Sequence, residues 1–106
     1  MSIKLSIVMP CFNSEDTIKE SIDSIVNLQI NCTYEIIILD DGSTDKTLKY
    51  LEKYKSSYSN IKVLKNITNQ GEGYSRNKCI SSCSGEIIGY LDSDNLFDHD
   101  CVNNMI

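Results

Sequence analysis

Asp92 and Asp94 are separated by one residue at the end of the apolar run Ile87-Ile88-Gly89-Tyr90-Leu91. In an extended backbone, residues two apart point to the same side, so the two carboxylates converge. Converging carboxylates repel unless a cation lies between them. Hard oxygen ligands select Mg²⁺, Mn²⁺ or Ca²⁺, and Mg²⁺ or Mn²⁺ keeps positions open for a substrate phosphate. A solvated acidic turn is the plain alternative for so short a motif. Its place at a strand end, with a second acidic pair at another strand end, favours the cation site.

Asp40 and Asp41 are that second pair, set between Ile36-Ile37-Ile38-Leu39 and Gly42. Glycine tolerates the positive φ that a tight turn needs. One carboxylate can cap the turn while the other faces a ligand, where an imide N–H or a ribose hydroxyl would donate to it. A ligand-free capping turn would use the same D-G-S-T residues. Arg76 is the only arginine. Its guanidinium could grip phosphate or carboxylate through two parallel bonds, or lie on a helix surface. Asn69, Gly71 and Gly73 allow close backbone approach, but neither G-x-x-x-x-G-K-[ST] nor G-x-G-x-x-G occurs, so a P-loop and an NAD site have no support. The five cysteines (Cys11, Cys32, Cys79, Cys83, Cys101) lack C-x-x-C spacing, and His99 is the only histidine. That argues against zinc and for reduced, buried thiols. Cys11 has no histidine beside it in sequence and is read as a packing residue, not a nucleophile.

These groups need a scaffold, and the hydrophobic pattern supplies one. Residues 5–9 predict a first strand, stopped by Pro10 because a residue without an N–H cannot extend a central ladder. Ser14 is expected to cap a helix carrying Ile18, Ile22, Ile25 and Val26 on one face and ending near Asn27. Four consecutive apolar positions at 36–39 predict a central strand covered on both sides. Ser43 or Thr44 should cap a second helix with Leu48, Leu51 and Tyr54 or the Lys55 stem inward. Residues 61–64 predict a third strand, 66–73 an irregular loop, and 74–83 a helix closed by Gly85. Residues 86–91 predict a fourth strand, and a last helix is expected from about Asp98. Alternating strands and helices imply an α/β fold, a Rossmann-like, mostly parallel sheet with flanking helices. In such sheets ligands bind beyond the carboxyl ends of the strands, which selects residues 10–13, 40–43 and 92–95.

The 106 residues fit one domain. With 41% hydrophobic and 24% charged residues, disordered and collagen-like classes are excluded. Fifteen acidic against ten basic side chains give a net charge of -5. That opposes nucleic acid and anionic lipid as partners, and a polyanionic ligand would need a metal or local backbone donors. No apolar run approaches the roughly 20 residues of a membrane span and no signal peptide opens the chain, so a cytoplasmic location is expected.

Four ordered segments carry a more specific pattern. Leu5-Ser6-Ile7-Val8-Met9-Pro10-Cys11-Phe12-Asn13, then Glu35 to Asp45 through Asp40-Asp41-Gly42-Ser43-Thr44, then Asn69-Gln70-Gly71 with Ser75-Arg76-Asn77, then Gly85 to Asp94 ending Leu91-Asp92-Ser93-Asp94, resemble the family-two inverting glycosyltransferases of the GT-A fold. The resemblance spans almost the whole chain but only the nucleotide-binding half of that family's catalytic domain. It implies that Pro10, Cys11, Phe12, Asn13 and Asp41 bind the nucleotide base, with Asp40 shaping the pocket and Arg76 near the base or phosphates. Asp94 would hold Mn²⁺ or Mg²⁺, with Asp92 supporting the sugar or metal shell, and Asp92 and Ser93 would also bind the nucleotide. The implied partners are a nucleotide diphosphate sugar, often UDP-linked, and a glycan, lipid-linked or other hydroxyl acceptor. A homo-oligomer is compatible with the pattern. The acceptor-binding half and the general base would follow Ile106, and a missing part could also attach the protein to the inner face of the membrane.

Other readings compete. A nucleotidyltransferase would need a basic, glycine-rich loop after the first strand, where Cys11-Phe12-Asn13-Ser14 stands instead. A truncated or inactive nucleotide-sugar-binding module would keep the site without turnover. A phosphoacceptor receiver domain would place its acidic pair after the first strand, where Pro10 and Cys11 lie.

Overall fold

The structure, a computed structural model, describes residues 2–28 and 30–91. Asp92, Ser93 and Asp94, and the helix expected from Asp98, lie outside the described residues. Strands β1 (Leu5–Cys11), β2 (Tyr34–Asp41), β3 (Ile61–Asn66) and β4 (Ile87–Tyr90) alternate with helices α1 (Ile18–Val26), α2 (Thr47–Ser57) and α3 (Glu72–Ser81). The four strands are parallel in the order β3-β2-β1-β4. The expected α/β class is therefore the observed one.

The apolar run of β2 explains its central place. Ile36, Ile37, Ile38 and Leu39 are all fully buried, and they alternate between two cores. Ile36 and Ile38 join Leu5, Ile7 and Met9 of β1 under Ile18, Ile22 and Ile25 of α1 and Leu51 of α2. Ile37 and Leu39 join Val8 on the opposite face, under Cys79 of α3. Helices thus cover both faces, as a strand without polar alternation requires. The chain steps outward from β1 to β2 to β3, then returns through α3 to the far side of β1. The point where the direction reverses lies between β1 and β4.

Several boundaries differ from the sequence reading. Pro10 does not stop β1; it pairs in register with Leu39, inside a central strand. The Leu91 N–H donates to the Val8 carbonyl, so Val8 faces β4, and alternation turns Pro10 the same way. Among the described residues the last β4 residue paired with β1 is Tyr90, opposite Val8, and the position that would face Pro10 lies outside them. Asp40, Asp41 and Asn66 lie within strands, not in the loops that follow. Helix α1 begins at Ile18 with Thr17 in the cap position, because Ser14 heads a separate turn whose carbonyl accepts the Thr17 and Ile18 N–H groups. Helix α2 starts after Lys46, later than a Ser43 or Thr44 cap would place it. Helix α3 runs from Glu72 and ends at Ser82 in right-handed geometry, so Gly85 is not its cap. Gly85 is needed for another reason: a Cβ there would stand 2.6 Å from the Ser6 backbone nitrogen.

At the amino end of the sheet, buried Glu35 ties three strands together. It accepts bonds from Ser6 Oγ on β1 (2.6 Å) and the Ser84 N–H (2.6 Å), and pairs with Lys62 Nζ on β3 (2.9 Å). Ser6 Oγ in turn accepts the Gly85 N–H at 2.8 Å. Burial alone would raise the Glu35 carboxyl, but the bonds from Ser6, Ser84 and Lys62 outweigh it and hold the group below its ordinary 4.5. A depressed carboxylate contributes stability that is present above its unfolded value and lost as pH falls through the folded one. Glu35→Gln is therefore expected to cost about 1–2 kcal/mol at neutral pH, Lys62 being half-exposed and able to rehydrate. Denaturant midpoints followed into acid should fall less steeply in the variant than in the parent. Parallel curves would show that Glu35 carries no linked proton.

Candidate functional site

The carboxyl ends of β1 and β2 open into two loops that are laced together. Asn13 sits in the left-handed region with φ 46°. Its N–H donates to Ser43 Oγ (2.9 Å), and its Oδ1 accepts the Thr44 N–H (2.8 Å). The Ser14 N–H donates to Thr47 Oγ1 (2.8 Å), the Glu15 N–H to Asp45 Oδ2 (3.2 Å), and the Lys46 N–H to Glu15 Oε2 (3.3 Å). Asparagine is among the few non-glycine residues that enter this backbone region readily. Each loop satisfies backbone donors of the other.

A third segment packs against this pair. Asp41, 4% exposed, accepts Asn66 Nδ2 (2.8 Å) and the Gln70 N–H (2.7 Å) on one oxygen and the Gly71 N–H (3.0 Å) on the other. Asn66 is its partner in the β2–β3 register, which brings the amide within reach. The Asp41 carbonyl also accepts Asn69 Nδ2 at 3.3 Å. Gly42, at φ 75°, lies directly beneath this loop: a Cβ there would meet the Asn69 nitrogen and the Thr68 carbonyl carbon at 2.7 Å each. Gly71, at φ 94°, lets the loop turn into α3.

The neighbouring carboxylates are driven in opposite directions. Burial pushes Asp41 up, but the bonds from Asn66, Gln70, Gly71 and Ser75 outweigh it and hold the carboxyl below its ordinary value. Burial also raises Asp40, which is 2% exposed, and the charges of Asp45 and Asp41 add to it. The Ser43 hydrogen bonds, including its N–H at 3.4 Å from Oδ2, only partly oppose this. Asp40 Oδ1 has no partner among the described residues.

Between these segments lies an open cavity of about 730 Å³, within the range of small-molecule sites. Pro10, Cys11, Phe12, Asn13 and Ser14 form one wall and Asp16 and Thr17 a second; Asp41, Asn69, Gly71, Glu72, Ser75 and Tyr90 form the remainder. It occupies the reversal point between β1 and β4. Phe12 is 47% exposed. Asp16, Asp41 and Glu72 give the lining three acidic residues and, among the described residues, no lysine or arginine. Among the described residues no three His, Cys, Asp or Glu side chains cluster as a metal site.

The sequence-based candidates thus divide. Pro10, Cys11, Phe12, Asn13 and Asp41 come together on the cavity. Asp40 stands behind it and shapes the turn through Ser43. Arg76 is exposed on α3, outside the lining, with its guanidinium 5.7 Å from the centre of the Tyr90 ring. Cys11 is buried and donates to the Leu39 carbonyl (3.4 Å); burial, then the Asp40 charge, pushes its thiol far up, in keeping with a packing role. The loop-lacing residues Glu15 and Thr47, and the wall residues Ser14, Asp16, Thr17 and Glu72, were not foreseen as site residues; Asp45, Ser75 and Tyr90 stood within the quoted motif segments but were given no role.

The profile of Glycosyl transferase family 2 matches residues 6–106. Over 94 residues the chain is 46% identical to a poly(ribitol-phosphate) beta-glucosyltransferase of Bacillus spizizenii, covering 87% of this chain and 15% of that protein. The crystal structure of residues 1–349 of Staphylococcus aureus TarS in complex with UDP-GlcNAc aligns with a TM-score of 0.84 at 32% identity, over 96% of this chain and 30% of that one. A mannosyltransferase of Pyrobaculum calidifontis, solved with GDP-Man and Mn²⁺, shares the fold at 20% identity and a TM-score of 0.79, over 92% of this chain and 29% of that one. The chain therefore spans less than a third of the length of each.

Two substitutions separate the loop's anchor from its packing. Asp41→Asn puts amide hydrogens against donors and should cost about 1–3 kcal/mol, with amide exchange at Gln70 and Gly71 accelerating before that of the β2 core. Gly42→Ala should cost about 2 kcal/mol or more from its positive φ and the backbone collision, read from denaturant midpoints. Unchanged exchange at Gln70 and Gly71 in Asp41→Asn would show that the loop is held elsewhere.

Proposed function

From the premise that the chain belongs to glycosyl transferase family 2, we propose that it forms the nucleotide-sugar-binding half of a glycosyltransferase. The donor is a UDP-linked sugar, passed with inversion to an acceptor hydroxyl of a glycan, a lipid-linked or another acceptor. The cavity carries this reading: three chain segments converge at the reversal point of a parallel sheet, where such folds take nucleotides. TarS residues 1–349, 30% of which are matched by nearly the whole of this chain, were solved with UDP-GlcNAc.

Phe12 presents its ring for the base to stack on, and its neighbours Pro10 and Asn13 fix the approach. The acidic lining fits a divalent cation, because a diphosphate entering beside Asp16, Asp41 and Glu72 needs compensating charge. In this proposal Asp94 and Asp92 hold Mn²⁺ or Mg²⁺, which when bound would stabilise charge on the departing diphosphate. Asp41 orders the wall that the base meets, and Asp40 holds the turn behind it. The acceptor site and general base belong to residues beyond Ile106. The thiols of Cys11, Cys32, Cys79 and Cys83 are free, which supports a reducing, cytoplasmic setting. Among the described residues no helix is long and apolar enough to cross a membrane.

Calorimetry with UDP is expected to show binding that strengthens at least tenfold on adding Mn²⁺, with that gain lost in Asp94→Asn. Phe12→Ala should weaken UDP by about tenfold, the value of one base–aromatic contact. No binding of any nucleoside diphosphate in the presence of metal would overturn the proposal.

A further inference from the structure

Glu72 and Arg76 stand four residues apart on α3, with the acid on the amino side, the order in which such side chains favour pairing with each other. Among the described residues they do not pair. Both turn to Tyr90 at the end of β4: its hydroxyl donates to Glu72 Oε1, and its ring lies under the Arg76 guanidinium at 5.7 Å. Glu72 and Tyr90 line the cavity, and Arg76 lies just outside that lining.

We propose that Tyr90 is a positioning residue that diverts the Glu72 carboxylate away from Arg76, leaving the guanidinium un-neutralised for the diphosphate of a bound donor. The phenol gives Glu72 a hydrogen-bond partner that carries no charge. The ring face gives Arg76 a partner that leaves its N–H groups unspent, since contact with an aromatic face consumes none of them. An arginine neutralised by its helical neighbour would offer little to an anion, whereas a stacked one keeps its forked donors. In a cavity lined by three acidic residues, the difference decides whether a cationic side chain reaches the ligand at all.

The inference rests on the nucleotide-sugar reading, and the test separates the two. UDP affinity would be measured by calorimetry with Mn²⁺ on the full chain and on Tyr90→Phe, Glu72→Gln, Glu72→Gln/Tyr90→Phe, Arg76→Ala and Arg76→Ala/Tyr90→Phe. Tyr90→Phe keeps the ring but frees Glu72 to close on Arg76, so affinity should fall about tenfold, roughly one charge-assisted hydrogen bond. Glu72→Gln/Tyr90→Phe should match Glu72→Gln measured alone to within about twofold, because no carboxylate remains to capture the guanidinium. In the Arg76→Ala background, Tyr90→Phe should change nothing further. A loss in Tyr90→Phe that Glu72→Gln does not rescue, or that persists without Arg76, would overturn the inference by making the hydroxyl a direct ligand contact. Parental affinity in Tyr90→Phe would overturn it too. Failure of the parent chain to bind UDP would instead sink the nucleotide-sugar reading on which it stands.

Discussion

A carboxylate buried at the end of a central strand must be surrounded by donors, and Asp41 is the point on which the site depends. Its donors are the Asn66 amide from the neighbouring strand and two backbone N–H groups of the following loop. Those bonds set where the loop runs, and the loop sets the cavity wall from Asn69 to Ser75. Asp40, one residue earlier, points to the other side of the strand, where burial is not answered by as many donors. Adjacent residues of one type therefore do different work because a strand alternates its faces.

The opposite wall is built by mutual satisfaction of loop backbones. Asn13 adopts a left-handed conformation, which costs on the order of 1 kcal/mol, and recovers it through the bonds to Ser43 and Thr44. Holding both loops before a ligand arrives lowers the ordering cost of binding. Under the proposed donor reading the acidic lining works the other way, since Asp16, Asp41 and Glu72 would repel an anion entering without compensating charge.

The fold was legible where burial writes a simple pattern. Four apolar residues in succession at 36–39 marked the central strand, and the spacing of Ile18, Ile22 and Ile25 marked the first helix. Boundaries were less so, because tertiary partners decide them. Pro10 lies within β1 and turns its missing N–H to the β4 side, an arrangement set by residues about 80 positions away. Gly85 looked like a helix terminator and instead makes room for the backbone of Ser6. Within the site, the motifs at 10–13 and 40–43 were visible as turn and acidic signatures. The pairing of Asn66 with Asp41, and of Glu72 with Tyr90, depends on strand register and helix placement that no local spacing encodes.

Among the described residues, the two margins of the sheet are chemically unlike. Along β3, Lys62 and Lys65 are exposed, and stripping water from ammonium groups makes that margin a poor template for another chain. Along β4 there is no lysine, and Ile88 is 44% exposed. Among the described residues, strand-to-strand adhesion would therefore favour the β4 margin over the one that carries the lysines.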